Sequence, residues 1–229
     1  MYLASPLSIP TANVARWTRL DGGEALPVSL DAVKDFTARP RQDTFWDDEL
    51  TRFVRAAQSA IERECQLCLT PCSWRGDLPE LYERIRLIKR PFLDVTGIDY
   101  VATDGTVTTL DTDLYHVQDE PQMIGMLYVG EDAVLPATAR RRDAVRVTLK
   151  AGYALTDEDE ADGHPALPEE LHHAVLMTVA ALEKARGDTE ASTGNVTVYA
   201  MKNSRGGGLI PPEAMALIAT YKYRMITVA

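Results

Sequence analysis

Hydrophobic spacing along this chain changes from helical to strand-like near residue 69 and returns to helical near residue 155. Between these points, short runs such as "RIRLIKRPF", "TVTTL" and "AVRVTLKAGY" are separated by turn residues at short intervals. Such runs predict an antiparallel β region. Because helical spacing flanks it on both sides, the sequence predicts an α+β fold. This fold is a small helical domain with an antiparallel β insertion between its second and third long helices.

About four helices are predicted from amphipathic spacing and from residues that favour helix ends. Ser29 is a candidate N-cap for a short helix, and Leu50 and Val54 lie on one face of a longer one. Pro168 suits the first position of the third helix, which is expected to stop at Gly187. The predicted helices cover residues 30–38, 47–66, 168–186 and 211–224.

These predictions divide the chain into four parts that together form one structural domain. An N-terminal extension or arm is followed by a helical part, the β insertion and a second helical part. The second helical part contains the acidic loop "TDEDEADGHPA", a long polar loop and the C-terminal helix. The parts are residues 1–26, 27–68, 69–154 and 155–229, with the long loop at 187–208.

The stretch "DVTGIDYVATDGTVTTLDTDLYHV" reads as a β-meander, and it contains no cysteine, no lysine and no histidine before His116. Its Asp104-Gly105 dipeptide is favoured in tight hairpin turns in which both central residues need positive φ. The best-defined strands of the sequence therefore carry no candidate catalytic group.

The charge balance disfavours general binding to a nucleic-acid backbone. The 24 basic residues face 34 acidic ones, for a net charge of −10, whereas such binding depends on Lys and Arg neutralising phosphates. No apolar run approaches the roughly 20 residues of a membrane-spanning helix, and the N-terminus lacks the segments of a secretory signal. The protein is therefore expected in the cytoplasm, or in something assembled there, with no membrane partner.

All three cysteines lie in "ECQLCLTPCSW", as Cys65, Cys68 and Cys72. An odd, local set is a poor disulfide framework, whereas the C-x2-C-x3-C spacing makes the three residues candidate metal ligands. Zinc needs a fourth donor, however, and the histidines lie far along the chain without matching spacing. The alternative is small apolar cysteines packed at a helix end, which leaves the protein without a metal site.

No motif in the sequence predicts catalysis or a cofactor. His172 and His173 are adjacent, and neighbouring residues on a helix point about 100° apart, so the two cannot jointly hold a metal. The sequence has no phosphate-binding loop, nucleophile elbow or zinc-protease motif. We therefore expect neither catalytic residues nor a cofactor, and predict a protein that is not an enzyme.

The third helix contains "AVLMTVAAL", residues 174–182, which is apolar nearly all round. Such a helix must be covered on more than one side, and in a chain with few other helices a neighbouring subunit is a candidate cover. The predicted oligomer interface therefore comprises Val175, Met177 and Val179.

The order of these segments resembles that of the head-tail connector, or adaptor, proteins of tailed bacteriophages and prophages. The resemblance is carried, in this order, by "PVSLDAVKDF", "DDELTRFVRAAQSAIE", "LIKRPFLDVTGIDYVATDGTVTTLDTDLYHV", "AVRVTLKAGY", "LPEELHHAVLMTVAALEKARGD" and "PPEAMALIATYKYR". It covers roughly residues 27–186 and 209–224, and its specificity lies in the order and in the phrases around the β segments. The chain departs from the family in its longer N-terminal lead and its longer loop at residues 187–208.

The resemblance implies a structural virion protein that forms a ring, commonly a dodecamer, beneath the portal at the phage neck. It would link the capsid vertex to the tail and form part of the DNA channel, after assembly in the host cytoplasm. The implied partners are the portal protein, a stopper or tail-completion protein, and genomic DNA that passes without sequence-specific binding. A channel wall of like charge to phosphate would keep that DNA mobile.

In the resembled family the C-terminal segment can reach the portal, so the predicted portal contact comprises Tyr221, Lys222, Tyr223 and Arg224. The alternative is that Tyr221 completes the apolar stripe of the last helix and the rest is a basic end favoured by the helix dipole. Two other functions stay open. One is a neighbouring neck protein such as a stopper or tail terminator, and the other is a small metal-binding protein that uses the three cysteines.

Overall fold

The computed structural model describes residues 12–21, 25–120, 124–130, 136–191 and 209–222. Helices and two β-sheets occur in this part of the chain, which confirms the α+β class. The chain divides into two compact units. The β unit comprises the described residues of Met1–Gly22, Pro71–Gly152 and Ala161–His164, and the helical unit those of Gly23–Thr70, Tyr153–Glu160 and Pro165–Ala229. No described helix is both long enough and apolar enough to span a membrane.

The described helices and strands follow one another in a simple order. The α-helices are α1 (Leu30–Phe36), α2 (Asp47–Cys65), α3 (Asp157–Ala161), α4 (Glu169–Ala191) and α5 (Pro212–Ile218). The strands are β1 (Ala12–Asn13), β2 (Arg16–Arg19), β3 (Cys72–Leu78), β4 (Arg84–Leu87), β5 (Phe92–Val101), β6 (Val107–Thr109), β7 (Tyr115–Glu120), β8 (Ile124–Val129) and β9 (Val145–Ala151). Short 3-10 turns lie at Thr112–Leu114 and Ala219–Tyr221.

The β unit contains two sheets. One has four strands in the order β1-β4-β8-β7, and the other has five in the order β2-β3-β9-β5-β6. All neighbouring strands are antiparallel except β1 and β4, which are parallel. The antiparallel prediction, which covered residues 69–154, holds for every described pair within that range, and the one parallel pair lies outside it. The reason is that β1 comes from the predicted N-terminal extension, whose residues 12–21 form an edge strand of each sheet.

The predicted single meander at residues 94–117 is wrong, because its strands belong to different sheets. β5 and β6 form a hairpin in the five-stranded sheet, whereas β7 pairs with β8 in the four-stranded sheet. Between them, the Asp111 side chain accepts a hydrogen bond from the Asp113 N–H at 3.1 Å and caps the 3-10 turn. This turn redirects the chain from one sheet to the other.

The turn at Asp104-Gly105 also differs from the tight turn that the dipeptide predicts. Only Gly105 has positive φ, at 90°, and its N–H donates to the Ala102 carbonyl at 2.9 Å. The Asp104 carboxylate accepts from the Thr106 N–H at 2.9 Å, which lowers the pKa of Asp104. The connection is therefore a three-residue loop with glycine at its left-handed position, the next most common hairpin type.

The two sheets of the β unit contact each other where Phe92 of β5 covers Gly125 of β8. A Cβ atom at Gly125 would lie 2.8 Å from the Phe92 ring, so only glycine lets the ring approach this closely. Along β9, buried residues alternate with more exposed ones, as expected for a strand that buries one face of its sheet. The buried members are Val145, Val147, Leu149 and Ala151.

The helical unit is built around one core to which four of its helices contribute. Val33 of α1, Val54 of α2, Val175 of α4 and Ile218 of α5 all lie in it. The predicted cap of α1 is confirmed, because the Ser29 hydroxyl accepts from the Ala32 N–H at 3.1 Å.

The helices differ from the prediction in three main ways. Helix α4 continues through Gly187 to Ala191, so the predicted stop at Gly187 is wrong. Helix α5 ends at Ile218, before the predicted end at residue 224. Finally, the predicted acidic loop contains α3, where the Thr156 hydroxyl and the Asp159 carboxylate each accept from the other residue's N–H. This reciprocal capping box stabilises the start of the short acidic helix.

Candidate interaction surfaces

The three cysteines are buried and their sulfur atoms have packing partners. The Cys65 thiol lies 3.8 Å from the Ile218 carbonyl oxygen. The Cys72 sulfur lies 3.3 Å from the Ala151 carbonyl oxygen and accepts a hydrogen bond from the Trp74 indole N–H at 3.1 Å. Within the described residues, no three histidine, cysteine or carboxylate side chains cluster as metal ligands would. The geometry therefore suits small apolar side chains better than a thiolate metal centre.

Histidines that the sequence left without a role are packed against neighbouring groups. The Nδ1 atom of buried His164 lies 2.8 Å from the Gly152 carbonyl oxygen. The His116 ring stacks on the Tyr128 ring, with 5.1 Å between centroids. These contacts fix ring orientations within the β unit.

The apolar segment of α4 is covered largely by its own chain. Val175 and Val179 are fully buried in the core of the helical unit, and Met177 is a partly buried residue packed against that core. The cover expected from a neighbouring subunit is therefore supplied, for Val175 and Val179, by the other helices of the unit. Of the three predicted interface residues, Met177 is the one that keeps surface to offer a neighbour.

The residues predicted to contact a portal begin inside the 3-10 turn that follows α5. The Tyr221 hydroxyl donates to the Glu170 carboxylate at 3.2 Å, and the Lys222 ammonium lies 2.5 Å from the Glu64 carboxylate. Partial burial raises the pKa of Tyr221, and the Glu170 contact adds to the rise. Both side chains therefore help to hold the last described residues on the helical unit. Tyr223 and Arg224 lie outside the described residues.

Sequence reasoning missed an exposed aromatic side chain in the loop between α1 and α2. Phe45 is 79% exposed, and its ring edge contacts Trp46 with 4.7 Å between centroids. The Arg186 guanidinium lies 4.2 Å from the Trp46 ring centroid and the Arg39 guanidinium lies 5.4 Å from it. Two aromatic residues followed by two acidic ones, "FWDD", are the only sequence signal for this arrangement, and they do not reveal exposure.

This loop is held in place by buried and half-buried ion pairs. The ammonium group of Lys34, which is 3% exposed, lies 2.6 Å from the Asp47 carboxylate and donates to the Arg41 carbonyl at 3.2 Å. Arg39 pairs with Glu183 of α4. A hydrogen bond from Arg41 lowers the pKa of the Asp35 carboxylate. The loop therefore presents the Phe45 ring from a fixed backbone, which reduces the entropy cost of a contact there.

The edges of the β unit form a second exposed surface. β6 is an edge strand whose three residues are all exposed, and Val107 at its start is 55% exposed. Nearby, Arg141 and Arg146 donate to the Asp143 carboxylate at 2.6 Å and 3.0 Å. These bonds, with that from Arg141 the stronger, hold the pKa of Asp143 well below its ordinary range.

No family model matches the chain, and no curated protein matches it either. Its fold is similar to chains in solved structures of gene transfer agent (GTA) particles. Against the neck of the empty GTA particle, computed with C6 symmetry, the TM-score is 0.66 at 19% identity, covering 93% of this chain and 98% of that chain. The virion of the native GTA particle gives 0.65 and the native neck, computed with C12 symmetry, gives 0.59, both at the same identity and coverage. At this identity, the likeness shows the fold.

Proposed function

We propose that this chain is a structural protein of the neck of a phage-like particle. The observation that carries the proposal is the extent of the fold likeness, which covers 93% of this chain and 98% of the neck chain in the empty GTA particle. A match of nearly two complete chains includes both the helices and the sheets, so a shared substructure alone does not account for it. The role is that of a virion component assembled in the host cytoplasm, and it needs neither catalysis nor a cofactor.

Within the neck, we assign the chain to the head-tail connector, or adaptor, ring beneath the portal. The order of sequence segments supports this assignment, because it resembles that family over both the helical and the β parts. A ring of twelve identical subunits also has sixfold symmetry, so the C6 and C12 symmetries of the similar necks are both compatible with a dodecamer. The net charge of −10 suits a channel wall through which DNA passes without binding.

The oligomeric state tests the first part of the proposal. The purified full-length chain is expected to form closed rings, which native mass spectrometry counts and negative-stain electron microscopy images. A protein that stays monomeric at every protein concentration tested would contradict the proposed ring. Metal analysis of the same sample tests the cysteine-based alternative, because a metal-binding protein would carry about one equivalent of zinc.

Binding partners separate an adaptor from a stopper or a tail terminator. Rings of this chain are expected to bind isolated portal rings, and a stopper or terminator would bind tail-side rings instead. Removal of residues 221–229 is expected to leave a folded ring that no longer binds the portal, because it deletes the predicted contact at Tyr221, Lys222, Tyr223 and Arg224. Unchanged portal affinity of the shortened protein would exclude this contact, and the N-terminal residues 1–26 would become the candidate.

A further inference from the structure

In the described part of the β unit each sheet ends in two edge strands, and we group these by their place in the chain into a β1–β2 side and a β6–β7 side. β1 and β2 are consecutive in the chain and lie at one edge of their sheets, whereas β6 and β7 lie at the opposite edges. The 3-10 turn Thr112–Leu114 lies between β6 and β7, so it belongs to the second side. Within the described ranges, no strand pairs with the outer edge of any of the four.

The backbone of β6 directs hydrogen-bonding groups away from its sheet. The Leu110 N–H donates to the Ile98 carbonyl at 2.7 Å, so the backbone groups at this position face β5. In an antiparallel strand the direction alternates from residue to residue. The N–H and C=O groups of Val107 and Thr109 consequently point outward, where another strand is able to bind them.

The same reasoning applies to β2 at the opposite edge of this sheet. The Leu20 N–H donates to the Ser73 carbonyl at 3.0 Å, which fixes the direction of the even-numbered residues toward β3. The backbone groups of Trp17 and Arg19 therefore face outward. Both edge strands of the five-stranded sheet thus direct N–H and C=O groups outward, where a strand of another copy is able to pair with them.

Side chains at the two sides differ in charge. Arg16 and Arg19 occupy the ends of β2; Arg16 is exposed, whereas Arg19 pairs with Asp21 at 2.8 Å, so Arg16 carries the positive charge of this side. Around β6 the chain exposes Asp104, Asp111 and Asp113, whereas the nearby Arg141 and Arg146 are paired with Asp143. Opposite charges attract the two sides to each other and disfavour pairing of either side with itself.

We propose that neighbouring subunits of the ring join through these sides, with the β1–β2 side of one copy against the β6–β7 side of the next. This inference rests on the proposed function, because it names the contact that closes the proposed ring. Two different surfaces on one chain make a head-to-tail contact, which closes into a ring when the rotation permits. Edge strands that stay in solvent are usually protected by charged residues or proline. The exposed apolar Val107 on β6 therefore supports the proposal that a neighbouring subunit covers this edge.

Cross-linking of the full-length protein tests the contact. Ala15→Cys places a thiol at an exposed position beside β2, and Val107→Cys places one on β6. The native cysteines are buried, which shields them from a short bis-maleimide reagent. The double variant is expected to give a ladder of covalent oligomers on a denaturing gel, whereas each single variant gives only monomer. A matched control pairs Val107→Cys with Phe45→Cys, which places an exposed thiol on the helical unit.

The outcomes distinguish this inference from the function on which it rests. Rings that form in native mass spectrometry but give no ladder would overturn the inference and leave the proposed function standing. Dimers of the Val107→Cys single variant would also overturn it, because they require like sides to meet. If the protein forms no rings at all, the inference fails together with the proposed ring.

A charge variant gives an independent measurement. Arg16→Glu places like charge against the acidic side and is expected to raise the concentration at which rings dissociate by about tenfold. Arg52→Glu, at an exposed position of α2, is the matched control and is expected to leave that concentration unchanged. Circular dichroism checks that both variants keep the wild-type fold. If rings of the two folded variants dissociate at the same concentration, the proposed pairing of opposite charges is contradicted.

Discussion

Single glycines decide how closely the elements of the β unit pack. Gly125 lies under the Phe92 ring, where an added Cβ would come within 2.8 Å of ring atoms. A Cβ added at Gly97, in the same unit, would meet no atom within 4 Å, and Gly97 does not need positive φ. The two sites therefore separate the effect of crowding from the general effect of replacing glycine.

We expect Gly125→Ala to destabilise the protein by about 1–3 kcal/mol, because the Phe92 ring must move from a well-packed position. Gly97→Ala is the control and is expected to be neutral or slightly stabilising, since it lowers the entropy of the unfolded chain without a clash. Urea denaturation followed by circular dichroism measures both. Equal losses in the two variants would show that contact with Phe92 is not the cause.

Asp143 provides a pH-dependent contribution to stability. Its pKa is lowered by hydrogen bonds from Arg141 and then Arg146, so the folded state favours the carboxylate. The contribution is complete above the unfolded-state pKa of about 4 and is lost as the pH falls through the lower folded-state pKa. Asp143→Asn is therefore expected to lower Tm at pH 7 and to have a diminishing effect below about pH 4. A Tm difference that stays constant over this range would exclude the mechanism.

At the scale of elements, the loop between α1 and α2 depends on contacts with α4. The Arg186 guanidinium lies over Trp46 and is 2.6 Å from the Glu49 carboxylate, so it joins the start of α2 to α4. These groups are partly exposed, so each contact contributes modestly and the set of contacts fixes the loop. The consequence is a rigid display of Phe45 at the surface.

Replacement of Arg186 by Met keeps an apolar stem over Trp46 and removes the charge. We expect a loss of about 1 kcal/mol, from the cation–π contact and the partly exposed ion pair with Glu49. Arg52→Met, on the exposed face of α2, is the matched control and is expected to change stability by less than about 0.5 kcal/mol. Denaturant midpoints at low and high salt measure the effect, and a loss no larger than that of the control would contradict the role of Arg186.

At the scale of the whole molecule, the division into two units differs from the linear order of the sequence. The β unit takes its edge strands β1 and β2 from the N-terminal segment, and His164 from a segment after β9. Val14 and Trp17 lie against Gly76 of β3, where an added Cβ would come within 2.8 Å of Val14. The β insertion predicted at residues 69–154 lacks these residues.

We therefore expect a fragment of residues 69–154 not to fold independently. Without β2, the strand β3 becomes an unprotected edge and the apolar cover of Gly76 is lost. Thermal denaturation followed by circular dichroism, with the full-length chain as reference, measures the transition. Cooperative melting of the fragment with its native strand content would instead identify the insertion as a separate domain, against the prediction of one structural domain.

Local features of the sequence predicted the elements whose formation depends on local contacts. The amphipathic spacing that contains Leu50 and Val54 located α2 to within one residue at its end, and Ser29 located the start of α1. Both signals depend on neighbouring residues along the same helix, so they are readable without tertiary structure. The capping box of α3 at Thr156 and Asp159 was also present in the sequence, although the acidic run was interpreted as a loop.

Tertiary structure alone decided which surfaces are covered and which strands are neighbours. The sequence shows that Val175 and Val179 are apolar, but only the packing of α1, α2 and α5 determines that the chain itself buries them. In the same way, the sequence locates strands around residues 94–117, but pairing between distant residues assigns β6 and β7 to different sheets. Phe45 shows the converse, an apolar side chain left in solvent on a loop that ion pairs hold in place, one of them with Glu183 far along the chain. Burial and strand pairing are properties of contacts between residues far apart in the chain, and local periodicity carries no information about them.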